Sequence, residues 1–118
     1  MWEVEFTDEF GVWWETLDAE EQVSVAASVE LLRQLGPQLS RPHADVLKGS
    51  RHPNMKELRT QHAGRPLRTL FAFDTRRTAI LLIGGDKTGD DRFYHRMIPL
   101  ADDLFDQHLA TLEREGLM

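Results

Sequence analysis

MKELRTQHAGRPLRTLFAFDTRRTAILLIGGD, residues 55–86, holds three stretches suited to strands, separated by two turn signals. MKELRT (55–60) reads as a strand and QHAGRP as a turn. PLRTLFAFD (66–74) is a second strand rich in β-formers, and Asp74 to Thr78 makes a second turn. TAILLIGG (78–85) is apolar on both faces, as a central strand is. Three strands with short turns predict an antiparallel meander.

Working outward, WEVEF (2–6) alternates Trp2, Val4 and Phe6 with Glu3 and Glu5, the period of a half-buried strand. Thr7 or Asp8 can cap a short helix through Leu17, with Phe10, Trp13, Trp14 and Leu17 at helical spacing. Asp18 followed by Glu21 makes a capping-box pattern and opens AEEQVSVAASVELLRQLG, which Gly36-Pro37 ends. Two successive helices imply a helical hairpin. Residues 37–54, with three prolines and a glycine, read as a long connection that can hold a short strand. After Gly84-Gly85, DDRFYHRM predicts a short helix, and Pro99 starts a final one with Leu100, Leu104, Leu109 and Leu112 inward. The expected fold is α+β: an N-terminal strand and helical hairpin, a small antiparallel sheet and a C-terminal helix, with the helices packed on one face of the sheet. The other face is left for a site. Residues 1–118 read as one domain, a length that can bury a core.

The chain has no cysteine, which removes disulfides and thiolate chemistry. No apolar run approaches the roughly 18 residues of a membrane span, and MWEVEFTDEF is acidic, unlike a secretory signal. A cytoplasmic protein with no membrane partner is the expectation. The formal charge is −6 at pH 7, but it is unevenly spread. Residues 41–68 hold Arg41, Lys48, Arg51, Lys56, Arg59, Arg65 and Arg68 against only Asp45 and Glu57, with His43, His52 and His62 among them. A local basic patch in an acidic chain hints at an anionic partner.

Several chemistries fall away. A phosphate-binding Walker loop needs glycines where Asp86 and Leu81 stand. The five histidines lack helical ligand spacing, so no metal site is read, and no cofactor or small-molecule ligand is expected. Asp86, Asp90 and Asp91 read as solvated turn acids. What remains is basic plus aromatic: Lys56 and Arg59 on one strand, Arg65 and Arg68 on the next, then Lys87, Tyr94 and His95. RNA self-cleavage needs a base for the 2′-hydroxyl, positive charge on the phosphate and an acid for the leaving oxygen. Arginine suits the phosphate. Histidine suits proton transfer, as does a tyrosine whose pKa neighbouring cations lower from about 10. The same residues have plainer readings: Arg59 and Arg68 can pair with Glu57 or Asp74, Tyr94 can pack, and His95 can stand in solvent.

MKELR, the turn at Gly64, RTLFAFD (68–74), AILLIGGDKTG (79–89) and FYHRMIPLAD (93–102) together resemble the RelE/ParE superfamily of toxin–antitoxin toxins, closest to its HigB-like, phage-derived branch. The resemblance implies a RelE-like toxin that cuts mRNA on the ribosome without a metal and is held inactive by a cognate helix-turn-helix antitoxin. It assigns Arg59, Arg68 and Lys87 to the scissile phosphate. Tyr94 matches an active-site tyrosine, and His95 the histidine that some HigB toxins use. Lys48, Arg51, Lys56 and Arg65 are the expected further RNA contacts. Thr88 stands where RelE toxins often have a second base. Two alternatives stay open: a ParE-like inhibitor of DNA gyrase that cuts no RNA, and a degenerate relative that only binds its antitoxin.

Overall fold

The three-strand meander read from the sequence forms the middle of a five-stranded sheet. The computed structural model describes residues 1–117, with strands β1 (Val4–Phe6), β2 (Ala44–Val46), β3 (Lys56–His62), β4 (Arg65–Phe73) and β5 (Ala79–Asp86) in the order β1-β5-β4-β3-β2. β2, β3, β4 and β5 pair antiparallel, but β1 joins the β5 edge in parallel, so the sheet is mixed. β2 lies in the proline-rich connection, after a 3-10 turn at Gly36–Gln38. Turn chemistry closes the meander. The Asp74 carboxylate accepts from the backbone N–H groups of Arg76 (2.8 Å) and Thr78 (3.1 Å), and Ala63 and Gly64 take positive φ in the β3–β4 turn.

Helix α1 (Asp8–Glu15) starts where the Thr7 side chain accepts from the N–H of Phe10. The same hydroxyl donates to the Leu82 carbonyl at 2.6 Å, tying the cap to β5. Helix α2 (Ala19–Leu35) opens on the complete Asp18–Glu21 capping box, and Gly36 (φ 57°) ends it with Trp2 packed where a β-carbon would stand. Helix α3 (Phe93–Arg114) is continuous, where the sequence predicted a break at Pro99. Proline costs a helix one hydrogen bond, and burial on both sides of it holds the chain helical: Met97, Ile98, Ala101 and Phe105 all pack on the sheet. Of the leucines expected inward, Leu112 is buried and Leu104 and Leu109 are half-buried against the core, while Leu100 is exposed. β1 departs similarly, with Val4 half-buried but Phe6 66% exposed at the sheet edge.

The helices do not share one face. Phe10, Val25 and Leu32 of α1 and α2 pack against Leu58, Leu67, Phe71 and Leu81. Phe93, Met97, Ile98 and Phe105 of α3 pack on the opposite face, against Leu70, Ala72, Ile80 and Leu82. The expected free face is therefore partly covered. Gly84 and Gly85 serve this packing: a β-carbon on Gly84 would meet the Trp13 ring at 2.1 Å, and one on Gly85 the Phe93 ring at 2.8 Å. The glycine pair lets aromatic rings from α1 and α3 rest on the backbone of β5 from its two sides.

Gly84→Ala is expected to destabilise the fold by about 1–3 kcal/mol in a urea titration, through overpacking against Trp13. Gly11→Ala should do the reverse, by about 0.5–1 kcal/mol, because helical alanine is favoured and its β-carbon meets Phe6 at an ordinary 3.7 Å.

Candidate functional site

Side chains on a strand alternate between faces, so Glu57, Arg59 and Gln61 of β3 share the α3 side of the sheet with Arg68 and Leu70 of β4. α3 begins beyond β5 and covers only part of this side. In the uncovered part, Arg59 and Arg68 are opposite one another in register, and Tyr94 reaches in from the first turn of α3.

The buried Glu57 carboxylate is the centre of the group. Its Oε2 accepts from Arg59 at 3.1 and 3.2 Å, and its Oε1 accepts from the Tyr94 hydroxyl at 2.6 Å. Arg68 Nε is 3.4 Å from Oε1 but out of line for a hydrogen bond, and this buried N–H has no acceptor among the described residues. Arg68 meanwhile donates through Nη1 to the Leu67 carbonyl. Lys87, after β5, places Nζ 3.4 Å from the Tyr94 hydroxyl and 5.0 Å from the ring centre. Arg59 also reaches Asp45 at 3.4 Å. One carboxylate among three cations is no cradle for a divalent metal, whose charge the cations oppose.

Arg59, Arg68, Lys87 and Tyr94 thus converge, as does Glu57, which the sequence reading treated only as a possible partner of the arginines. Its signal was present: Glu57 and Arg59 are two residues apart on one strand and must share a face. The same spacing puts Lys56 on the other face, where it contacts the Pro37 carbonyl and the Phe73 ring. His95 is not brought into the group. It follows Tyr94 by one residue, about 100° round the helix, and is exposed, with no side-chain hydrogen bond or ion pair among the described residues. Lys48 is exposed in the turn after β2. Arg51 is held by Asp103 and Asp106 of α3, and Arg65 by Glu21 of α2 and Asp86. These carboxylates hold both guanidiniums more firmly protonated, and neither lies in the Glu57 group.

Tyr94 also differs from expectation in its acidity. Burial, then the hydrogen bond to Glu57 and its negative charge, raise the phenol above its usual value, and Arg68 offsets only part of this. At neutral pH the group is a protonated donor, where the sequence reading required cations to lower its pKa.

Two grooves flank the sheet. An apolar one of about 490 Å³ lies between β1, α1 and α2, lined by Phe6, Phe10, Trp14 and Val29. A polar one of about 570 Å³ runs from α2 round the edge of β3 to Arg59 and Arg68.

A family model described as Phage derived protein Gp49-like matches residues 12–106. The chain is 44% identical over 108 residues to the candidate toxin HigB2 of Mycobacterium tuberculosis, covering 90% of this chain and 54% of that protein. It is 45% identical over 100 residues to the candidate toxin HigB3 of the same organism, covering 84% of this chain and 86% of that one. The chain therefore spans about half the length of HigB2. Its fold is similar to that of a mutant E. coli toxin RelE in the free state, with a TM-score of 0.59 and 10% identity over 78% of this chain and 90% of that one. It is also similar to a chain of the intact E. coli RelBE toxin–antitoxin complex, with a TM-score of 0.55 and 10% identity over 72% of this chain and 95% of that one. These structures establish a RelE-like α+β fold.

Tyr94 is the chain's one tyrosine, so tyrosinate absorbance reads it alone. A pH titration should give a midpoint above about 10. Glu57→Gln should bring that midpoint down, because it removes the negative charge that disfavours the phenolate. A midpoint that stays in place would mean the pair is not formed in solution.

Proposed function

The chain belongs to the phage-derived Gp49-like family, and from that premise we propose that it is the toxin of a toxin–antitoxin pair and cuts mRNA on the ribosome. The observation that carries the reading is the Glu57–Tyr94–Lys87 chain lying beside Arg59 and Arg68. HigB2 and HigB3 are named as candidate toxins, and both cover most of this chain. The RelBE complex supports a protein antitoxin as the partner.

Each part has a task in RNA self-cleavage. Arg59 and Arg68 hold the scissile phosphate, and the acceptorless Nε–H of Arg68 gains an oxygen when the phosphate arrives. Glu57 takes the 2′-hydroxyl proton, and the freed oxygen attacks phosphorus. The bond from phosphorus to the 5′ oxygen breaks, and Lys87 supplies that oxygen with a proton. Tyr94, hydrogen-bonded to both, returns the proton from Glu57 to Lys87, which restores the starting state. The products are a 2′,3′-cyclic phosphate and a 5′-hydroxyl, and the step is balanced with no further reactant. A phenol that stays protonated suits this relay.

The test maps mRNA 5′ ends in cells shortly after the chain is induced. New hydroxyl ends within translated frames are expected, falling about 10²- to 10⁴-fold in Tyr94→Phe, Glu57→Gln and Arg68→Ala. Full arrest and cleavage by both Tyr94→Phe and Arg68→Ala would sink the site. Growth arrest without new ends would favour gyrase inhibition, and neither effect would favour an antitoxin-binding relative that is no longer toxic.

A further inference from the structure

Strand β3 is only half covered on its outer side, where β2 is short. Its pairing with β2 runs from Lys56 to Leu58, and the last bond on that side is from the Arg59 N–H to the His43 carbonyl at 2.8 Å. Backbone groups alternate sides along a strand, so those of Met55 and Arg59 point outward, and so do those of Gln61. The register confirms this: Gln61 faces Pro66, which has no N–H to give. β2 does not continue to meet Gln61, because the chain turns at Ser40–His43, just before β2 begins. Among the described residues, the Gln61 N–H and C=O have no partner.

This free donor and acceptor open onto the polar groove of about 570 Å³. Ser24 and Ala27 of α2 form one wall, Pro42 and His43 the other, and Arg59 and Arg68 close the end nearest Glu57. The α2 wall is set by side-chain bonds: Ser28 accepts from Thr60 at 2.7 Å, and Ser24 is 2.7 Å from His62 Nδ1. The groove is thus prebuilt, polar and continuous with the arginine pair.

The geometry points to this groove as the seat of an RNA base next to the scissile phosphate, with one edge of the base bonded to the Gln61 backbone; the inference rests on the RNA-cleavage reading above. A phosphate at Arg59 and Arg68 leaves its flanking nucleotide within one step of the groove. Single-stranded RNA presents unstacked bases whose edges carry adjacent donors and acceptors, which one backbone N–H and C=O can meet. A peptide strand would need several such pairs in succession, and β3 offers one residue.

The probe is a 2′-O-methyl RNA trinucleotide, which cannot be cut, followed by backbone amide shifts in the intact protein. Gln61, Ala27 and His43 are expected to shift together with Arg59 and Arg68. Ala27→Trp, at an exposed helix position, fills the groove. Gln61→Pro, compared with Gln61→Ala to discount the lost side chain, removes the free N–H at an edge position where proline is tolerated. Each should weaken binding about tenfold, the worth of one or two hydrogen bonds, with the rest of the amide spectrum unchanged. Shifts confined to Arg59, Arg68 and Lys87, with binding unaffected by Ala27→Trp, would overturn the groove and leave the cleavage reading standing. No shifts anywhere while cells still show new mRNA ends would also overturn the groove alone. Loss of both signals would overturn the reading on which it rests.

Discussion

A carboxylate buried in a sheet imposes terms on everything around it. Glu57 is one of the most buried acids of the chain, and an unpaired charge there would cost several kcal/mol. Its two oxygens are met from three elements: Arg59 on its own strand, Arg68 on the next, and Tyr94 at the start of α3. Satisfying Glu57 therefore fixes where α3 begins. Phe93, the residue before Tyr94, sits against Gly85, so the same turn is anchored once by charge and once by packing. The geometry of the site is a consequence of keeping that acid satisfied.

The same logic explains how an acidic chain keeps a small cationic site. Three arginines outside the site are claimed by acids from other parts of the fold. Arg65 binds Glu21 and Asp86, Arg51 binds Asp103 and Asp106, and Arg76 joins Asp74 to Glu5. These pairs cross between elements, tying α2 to β4, the loop before β3 to α3, and β1 to the β4–β5 turn. The exposed pairs add little each to stability, yet they neutralise the positive field wherever they occur. Arg59, Arg68 and Lys87 are left with one buried carboxylate and a share of Asp45, and so keep net positive charge.

Much of this fold was legible because local chemistry and tertiary packing agree. The Asp18–Glu21 box, the turn at Asp74 and the apolar run of β5 each have one good reading, and the structure uses it. Where they disagree, packing prevails. Pro99 carries a strong local signal to break, but the residues flanking it belong to one apolar face, and a continuous helix buries more of it. Leu100 misled for a related reason, since the buried stripe runs through Met97, Ala101, Phe105 and Leu112. The parallel pairing of β1 with β5 has no local signature, because it joins residues more than seventy positions apart.

For the site, residue type was the weaker guide and strand parity the stronger one. Basic residues between 41 and 68 look like one patch on paper, yet alternate side chains on β3 leave by opposite faces. Parity puts Lys56 beside Phe73 and brings Glu57, Arg59 and Gln61 to the side where Arg68 lies. It also decides which backbone groups face outward, so the free N–H of Gln61 follows from the bond that Arg59 makes two residues earlier. Helical spacing does the same for the aromatic end: Tyr94 can meet Glu57 only if His95 turns aside. A run of like residues shows that an anionic partner is plausible; the period of the element beneath decides which of them can touch it.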